Sequence, residues 1–581
     1  MTDRMISYSD LLAANATLKA TLVSSPEIRI AVLSNITIHP IREILEYALR
    51  THGIHAVVEI GNFDNMVQDS AQCAHCKVVL VFWELLPVIE NFRTRHPVFD
   101  ENSERELTAS LTADIIQTLR NLAAVPLVIM NRLNTLALSS SAVRPDRVEN
   151  ICSHIADTVT GSGLTNILQV DLSKLLCRLS LDGAIDWRMY YLTRSLYTRQ
   201  FLFAYIDQLQ PELLALFGHR KKALILDCDN TLWKGITGED GSDNIEMSDA
   251  TPHGRVFREV QIAILNLLRT GIIIGLSSKN NPEDVELILE NHPDMLIRNR
   301  HLTIKRVNWD DKVSNLRSIA ADLNIGLDSI VFVDDSEYEL SSVREQLPEV
   351  QCFAVPRNLF SYPVEFRSFL KIFAAGGLTA EDGNRTELYR AEQLRRSGAL
   401  QHGSQADFLK SLGLKLTVHR GAPKNVARVA QLTQKTNQFN LTTLRYSENE
   451  IAAMMADPQW RVMAIEVEDR FGNYGLTGVV LVGQAVSPVV FHIDTLLLSC
   501  RVLGRDIEKA LMDLIVEQAG AAGVYEINAS YRKTARNTQV EDYYDKCGYT
   551  VVNSNQNEKQ YVLKISGYQP FCLDYIEVQN A

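Results

Sequence analysis

No stretch of this sequence approaches the roughly 20 consecutive apolar residues that a membrane-spanning helix needs. Internal repeats and low-complexity tracts are also missing, which excludes solenoids and fibrous assemblies. Cysteine is scarce. Nine are scattered over 581 residues, an odd number without regular spacing, which excludes a disulfide scaffold. The opening segment, "MTDRMISYSDLLAANATLKATL", lacks the continuous apolar core of a signal peptide. The expectation is a cytoplasmic protein with reduced thiols and no membrane partner. Positive charge is in deficit too: 58 Lys and Arg stand against 70 Asp and Glu, a net charge of -12. General nucleic-acid binding is therefore not expected. The one C-x-x-C, "CAHC" (Cys73 to Cys76), lacks the second ligand pair of a zinc site. Apolar "KVVLVFW" follows it at once, so it reads as two ordinary thiols ahead of a strand.

What is present is ordinary globular composition, 46% hydrophobic and 22% charged, in a chain too long for one core. Up to residue 215, the apolar runs "IRIAVLSNIT", "KVVLVFWELL" and "VPLVIMNRLN" read as buried strands separated by helices. That alternation predicts a parallel sheet covered on both faces. From 216 to 378 the pattern repeats. "KKALILDCDN", "IIIGLSSKN" and "SIVFVDDSEYE" are the strands, and each ends in polar residues. Ligands of such sheets bind at those carboxyl ends. Residues 379–405 read as a polar connecting helix. From 406 to 567 the strands "LKLTVHR", "WRVMAIEVED", "GLTGVVLVG", "VVFHIDTLLLS" and "YEINASY" predict an α+β unit, followed by a tail at 568–581.

The chemistry concentrates in "LILDCDNTLWKGITGEDG". Asp227 leaves a strand where a ligand sits, and a carboxylate there can attack phosphorus. Asp229, two residues on, can protonate the leaving oxygen and then activate water. Thr231 holds the turn. Ser278 ends a later strand and can bond phosphoryl oxygens, with Lys279 beside it. Lys312 can pair with both the phosphate and Asp227. Asp334 and Asp335 complete, with Asp227 and Asp229, a hard oxygen set suited to Mg²⁺.

This ordered set resembles the haloacid dehalogenase (HAD) superfamily of aspartate-nucleophile phosphatases. The interval between Gly235 and Ile272 is too short for a large cap domain, which predicts an open site. The phrases "LDCDNTLWKGITGEDG", "SSKNNPED", "VNWDDKVSNLRSIAADLNIGLDSIVFVDDSEYE", "KTNQFNLTTLRY", "DRFGNYGLTGVV" and "IDTLLLSCRVLGRDIE" narrow the likeness. They resemble the FkbH-like glyceryl transferase/phosphatases of polyketide pathways. That resemblance implies transfer of the glyceryl unit of 1,3-bisphosphoglycerate to the phosphopantetheine thiol of an acyl carrier protein, with removal of phosphate. Cys500 lies just past a strand and before a helix, with Arg501 and Arg505 beside it, a setting that lowers a thiol pKa. The resemblance makes Cys500 the acyl acceptor, with His492 and Asp494 upstream to assist.

The same resemblance gives residues 406–567 a GNAT-like acyltransferase fold. Arg501 and Gly504 match its pyrophosphate loop, while Asp506 stands where a small residue is expected. Asn437 and Asn440, in amide-rich "KTNQFNLTT", become candidates for the acyl or pantetheine site. Residues 1–215 resemble the SGNH-hydrolase-like domain of longer family members, with Ser34 at the nucleophile position but no partner base. A non-hydrolytic unit is expected. Docking of an acidic carrier calls for a basic face, for which Arg385, Arg390, Arg395 and Arg396 are candidates. Two competing readings remain open: a Mg²⁺-dependent phosphatase of a small phosphorylated metabolite, and a non-catalytic scaffold that recruits carrier proteins.

Overall fold

The structure is a computed structural model, and it describes residues 7–23, 25–94, 100–135, 147–373, 409–470, 472–484, 489–499, 502–534 and 536–581. The chain separates into two compact units, Met1–Leu213 and Leu214–Ala581. It is a multidomain α/β protein with three sheets. The expected connecting helix at 379–405 lies outside the described residues, as do its four arginines.

In the first unit, β1 (Ile28–Ser34), β2 (Ala56–Ile60), β3 (Val78–Phe82), β4 (Leu127–Asn131) and β5 (Ile167–Val170) form a parallel sheet in the order β2-β1-β3-β4-β5. The helices relevant here are α1 (Ile41–Arg50), α2 (Met66–Ser70), α3 (Glu101–Asn121) and α4 (Arg147–Thr160). Leu107, Leu111, Ile115 and Leu119 recur every fourth residue along α3 and pack with Val79, Val81 and Val128 of the sheet.

The carboxyl edge of this sheet is filled. The Asn35 amide donates to the Glu84 carbonyl at 2.7 Å and accepts from the Glu84 N–H at 2.7 Å. Asn131 clamps the Trp83 backbone in the same way, at 2.8 and 2.7 Å. The Ser34 hydroxyl accepts from the Ile36 N–H at 3.1 Å. Glu84 is fully buried and takes a 2.9 Å hydrogen bond from Tyr197. Burial pushes its carboxyl up to about 8, against the opposing Tyr197 bond.

The second unit contains two sheets. β6 (Ala223–Leu226), β7 (Ile273–Ser278), β8 (Ile304–Val307), β9 (Ile330–Asp334) and β10 (Gln351–Ala354) are parallel, in the order β10-β9-β6-β7-β8. Their helices include α5 (Thr237–Asp240), α6 (Pro252–Leu268), α7 (Pro282–Asn291), α8 (Lys312–Leu323), α9 (Glu337–Gln346) and α10 (Tyr362–Phe369). Alternate residues of β6 serve opposite faces, because side chains alternate along a strand. Leu224 and Leu226 join Phe257, Val260 and Ile264 of α6. Ala223 and Ile225 join Leu316 and Ile319 of α8 with Leu340 and Val343 of α9. Gly275 lets β7 approach its neighbours; a Cβ there would lie 2.7 Å from Ile304 and 2.8 Å from Ile225.

The third sheet is mixed. β11 (Leu414–Arg420), β13 (Trp460–Asp469), β14 (Gly472–Gln484) and β15 (Val490–Leu498) are antiparallel neighbours. β15 then pairs parallel with β16 (Glu526–Arg532), and β18 (Glu558–Lys564) and β17 (Thr550–Ser554) continue antiparallel. The short β12 (Phe439–Asn440) pairs with β15, and α11 (Val426–Lys435), α12 (Glu448–Ala456) and α13 (Ile507–Ala521) cover the sheet. The tail at 568–581 is not featureless: β19 (Ile576–Asn580) adds to the sheet edge, parallel to β11.

A polar joint ties the two sheets of this unit. The Gly218 carbonyl accepts from Asn437 at 2.9 Å and from Arg536 at 2.8 Å, and Arg536 also pairs with Asp328. Among the described residues, no helix is long and apolar enough to cross a membrane.

A pH dependence follows from Glu84. Its folded carboxyl holds a proton to about pH 8, whereas the unfolded chain loses it near 4.5. The folded state then binds the extra proton, so stability falls as pH rises between those values, by at most about 1.4 kcal/mol per pH unit. Amide exchange across Val78–Phe82 in the full chain is expected to accelerate from pH 5 to pH 8 beyond its intrinsic rate. Glu84→Gln removes that excess; an unchanged pH profile would contradict the assignment.

Candidate functional site

The site forms where β6, β7 and β9 end together. Asp227 follows β6 directly, and its N–H is held by the Val333 carbonyl at 2.9 Å. Beyond it the chain turns tightly: Leu232 N–H reaches the Cys228 carbonyl at 2.8 Å, and Asn230 adopts a left-handed φ of 50°. Asn tolerates that conformation better than most residues. Thr231 is fully buried in this turn, and its hydroxyl has no hydrogen-bond partner among the described residues.

Lys312 opens α8 and points into the site. Its Nζ donates to Asp227 Oδ1 at 2.5 Å and to the Ser277 carbonyl at 2.6 Å, and it lies 3.2 Å from Asp334 Oδ2. Burial alone would lower this ammonium, but the Asp227 and Asp334 charges outweigh it and hold Lys312 above its ordinary value. The carboxyls respond oppositely. Burial raises Asp227, and it takes Asp334 up to about 7 with help from the Asp227 charge. Ser278 hydrogen-bonds Asp227.

Asp227, Asp334 and Asp335 offer carboxylate oxygens that all lie within 4.8 Å of one another. Two of them are buried, and among the described residues Lys312 is the cation that pairs with Asp227 and Asp334. Charge is left uncompensated, and a hard divalent cation matches both the oxygen donors and the deficit. The expected four-carboxylate set is therefore three side chains here.

The Asp229 carboxylate is held elsewhere, by four donors. Oδ1 accepts from Trp233 Nε1 at 3.0 Å, Thr237 N–H at 3.1 Å and Thr237 Oγ1 at 2.7 Å. Oδ2 accepts from Asn280 at 3.0 Å. Thr237 begins α5, so this short helix is anchored on Asp229 rather than standing as a free turn. Lys279, expected at the phosphate, instead pairs with Glu339 at 2.6 Å. Sequence reading missed Trp233, Thr237 and Asn280 as holders of Asp229. All three fall inside the quoted phrases "LDCDNTLWKGITGEDG" and "SSKNNPED". Only the folded turn shows which way they point.

The residues between Gly235 and β7 form α5 and α6 with connecting loops, so among the described residues no cap domain is inserted there. Trp309 in the loop after β8, Tyr338 in the first turn of α9 and Phe360 in the turn between β10 and α10 are 70%, 78% and 61% exposed.

In the third sheet, His492 and Asp494 sit two residues apart on β15. Leu481 pairs with Thr495 and Val482 with Ile493, which leaves Asp494 in a β-bulge. Its carboxylate accepts from Tyr446 at 2.6 Å and Thr495 at 2.8 Å. Tyr446 was not anticipated. Burial lowers His492 despite nearby Asp494. Tyr544 is buried, and its hydroxyl has no hydrogen-bond partner among the described residues. Asn437 faces the Gly218 joint, and Asn440 is fully buried, with its side-chain carbonyl taking the Thr443 N–H at 2.8 Å. Gly504 (φ 77°) and Asp506 (φ 61°) make the left-handed turn before α13. Asp506 pairs with Lys509 at 2.8 Å and takes a hydrogen bond from Tyr575 in the tail. Cys500 and Arg501 lie outside the described residues.

No family model and no curated protein matches this chain. Among solved structures, the fold is similar to the N-terminal part of protein BF1531 from Bacteroides fragilis, which contains a phosphatase domain complexed with Mg. That likeness has a TM-score of 0.55 at 22% identity and covers 64% of this chain and 99% of that one. A putative GNAT-family acetyltransferase from Desulfovibrio desulfuricans aligns over 26% of this chain and 99% of its own, at 11% identity and a TM-score of 0.22. The spermidine/spermine N-acetyltransferase SpeG from Vibrio cholerae aligns over 26% and 95%, at 16% identity and 0.22. Scores of 0.22 are too low to argue from.

The hold on Asp229 is testable. A group that moves a proton at a reacting oxygen contributes about 10²–10⁴-fold, and loosening it should forfeit part of that. Thr237→Val and Asn280→Ala are each expected to lower kcat for p-nitrophenyl phosphate with Mg²⁺ about tenfold, with little change in KM. An unchanged kcat in both would show that these bonds serve only the fold.

Proposed function

We propose that this chain is a Mg²⁺-dependent glyceryl transferase/phosphatase of the FkbH-like type. It would load the glyceryl unit of 1,3-bisphosphoglycerate onto the phosphopantetheine thiol of an acyl carrier protein. The observation that carries the reading is the uncapped Asp227–Lys312 pair at the carboxyl edge of β6. It is joined in one compact unit to a mixed sheet in which one parallel pair, β15 with β16, follows an antiparallel run. The quoted sequence phrases narrow it from phosphatase to this family. The Mg reported for the similar Bacteroides domain supports the cofactor.

Two electrophiles call for two sites. At phosphorus, an Asp227 oxygen attacks the phosphate monoester and the glyceryl oxygen leaves, taking a proton from Asp229. Asp229 then removes a proton from water, which attacks the phosphorus of the aspartyl phosphate and releases inorganic phosphate. Lys312 keeps Asp227 ionised and oriented through its 2.5 Å contact. Asp227, Asp334 and Asp335 would hold Mg²⁺, which when bound offsets charge on the transferring phosphoryl group. At carbon, the Cys500 thiolate attacks the acyl-phosphate carbonyl and expels phosphate, and the resulting thioester passes to the carrier thiol. Asp494 sits in the β15 bulge and accepts from Tyr446, and His492 lies two residues before it on the strand that leads to Cys500.

The test is intact-protein mass spectrometry after incubation with Mg²⁺ and 1,3-bisphosphoglycerate, with and without a phosphopantetheinylated carrier. Wild type is expected to give a glyceryl carrier and Asp227→Asn a phosphoglyceryl carrier. Cys500→Ala is expected to lose the enzyme-bound adduct. Free phosphate with an unloaded carrier would leave only a small-molecule phosphatase.

A further inference from the structure

The C-x-x-C of the first unit is not two independent thiols. Cys73 and Cys76 bound a single 3₁₀ turn (Cys73–His75) between α2 and β3, closed by a 2.9 Å hydrogen bond from the Cys76 N–H to the Cys73 carbonyl. A turn of that kind keeps its end Cα atoms within about 7 Å, the span a disulfide bridges. The Cys73 thiol donates to the Asp69 carbonyl at 3.3 Å.

The groups around Cys76 favour a thiolate. His75 Nδ1 is bonded to the Gln72 carbonyl at 2.9 Å, which fixes the ring and turns Nε2 toward Cys76 Sγ at 3.6 Å. Glu59 lies 3.7 Å from the same Nε2, and Arg29 pairs with Glu59 at 3.3 Å. Neighbouring Cys73 lowers the Cys76 thiol to about 7, with His75 and Arg29 adding to it against burial and Glu59, and Cys76 in turn raises Cys73. This asymmetry between the two thiols favours exchange. Both residues are buried, Cys73 to 6% exposure and Cys76 to 1%, beneath half-exposed His75. Exchange therefore proceeds through local opening of this short turn.

We propose that Cys73 and Cys76 form a reversible dithiol–disulfide site whose substrate is a low-molecular-weight or protein disulfide. In the first step the Cys76 thiolate attacks one sulfur of R–S–S–R; that bond breaks, a Cys76–S–S–R bond forms, and RS⁻ leaves. In the second step Cys73 loses its proton and attacks the Cys76 sulfur, and the second RS⁻ leaves. Protonation of both gives two R–SH. The protein dithiol is oxidised by two electrons and the disulfide is reduced by two. The product bond cross-links the turn that launches β3, a central strand of the first sheet. No step of the proposed phosphate chemistry enters this inference.

The test uses the full chain, reduced and freed of reductant, then exposed to oxidised glutathione at pH 7. Acid quench, alkylation of remaining thiols and peptide mapping read the result. Wild type is expected to yield an internal Cys73–Cys76 link, two hydrogens lighter, that glutathione reverses. Cys73→Ser is expected to stop at a glutathione adduct on Cys76, and His75→Gln to slow adduct formation about threefold or more. Exposed Cys177 and Cys572 serve as internal references. Adducts at the references with the pair still reduced would overturn the proposal. So would stoichiometric zinc that blocks alkylation of Cys73 and Cys76 until a chelator removes it.

Discussion

The second unit is organised around one buried ammonium. Lys312 Nζ touches Asp227, Asp334 and the Ser277 carbonyl, and so joins α8 to the ends of β6, β7 and β9. A lysine so deeply buried is tolerated only with partners, and removing one partner of such a pair costs about 3–5 kcal/mol. One cation against three carboxylates leaves the cluster short of positive charge. That shortage is what a divalent cation would offset. The same contact fixes the direction of the Asp227 carboxylate.

Around that centre the supports differ in kind. Asp229 is held by side chains from its own turn and from the loop after β7, so its orientation depends on α5 being in place. Among the described residues no cap is inserted between Gly235 and β7, and Trp309, Tyr338 and Phe360 are exposed. In the first unit the corresponding edge is closed. Asn35, Glu84 and Asn131 tie the strand ends to one another, and Ser34 bonds only locally.

The sequence was most legible where physics leaves least choice. β1, β3, β4, β6, β7 and β9 lie at or near the middle of their sheets and read as continuous apolar runs, and all were expected. β2, β5, β8 and β10 are edge strands of four or five residues with half-exposed positions, such as "IKRV" at Ile304–Val307. A strand buried on one side carries too weak a pattern to stand out. β19 was missed because pairing with β11, some 160 residues earlier, defines it. Of the site, Asp227, Ser278, Lys312, Asp334 and Asp335 were legible because they follow strand ends in order. The grip of Trp233, Thr237 and Asn280 on Asp229, the diversion of Lys279 to Glu339, and Tyr446 at the bulge depend on where side chains point. The spacing of residues along a chain does not carry that information.

The central claim is that Asp227 is the nucleophile held by Lys312. It is tested most directly by trapping the covalent intermediate. The enzyme would turn over a phosphate monoester with Mg²⁺, be quenched in acid and be reduced with borohydride, which converts an acyl phosphate to an alcohol. Peptide mapping is predicted to place the reduced side chain at position 227 and nowhere else, and to find none in Lys312→Ala. Turnover with no reduced residue at 227, or with the label at another acid, would contradict the account.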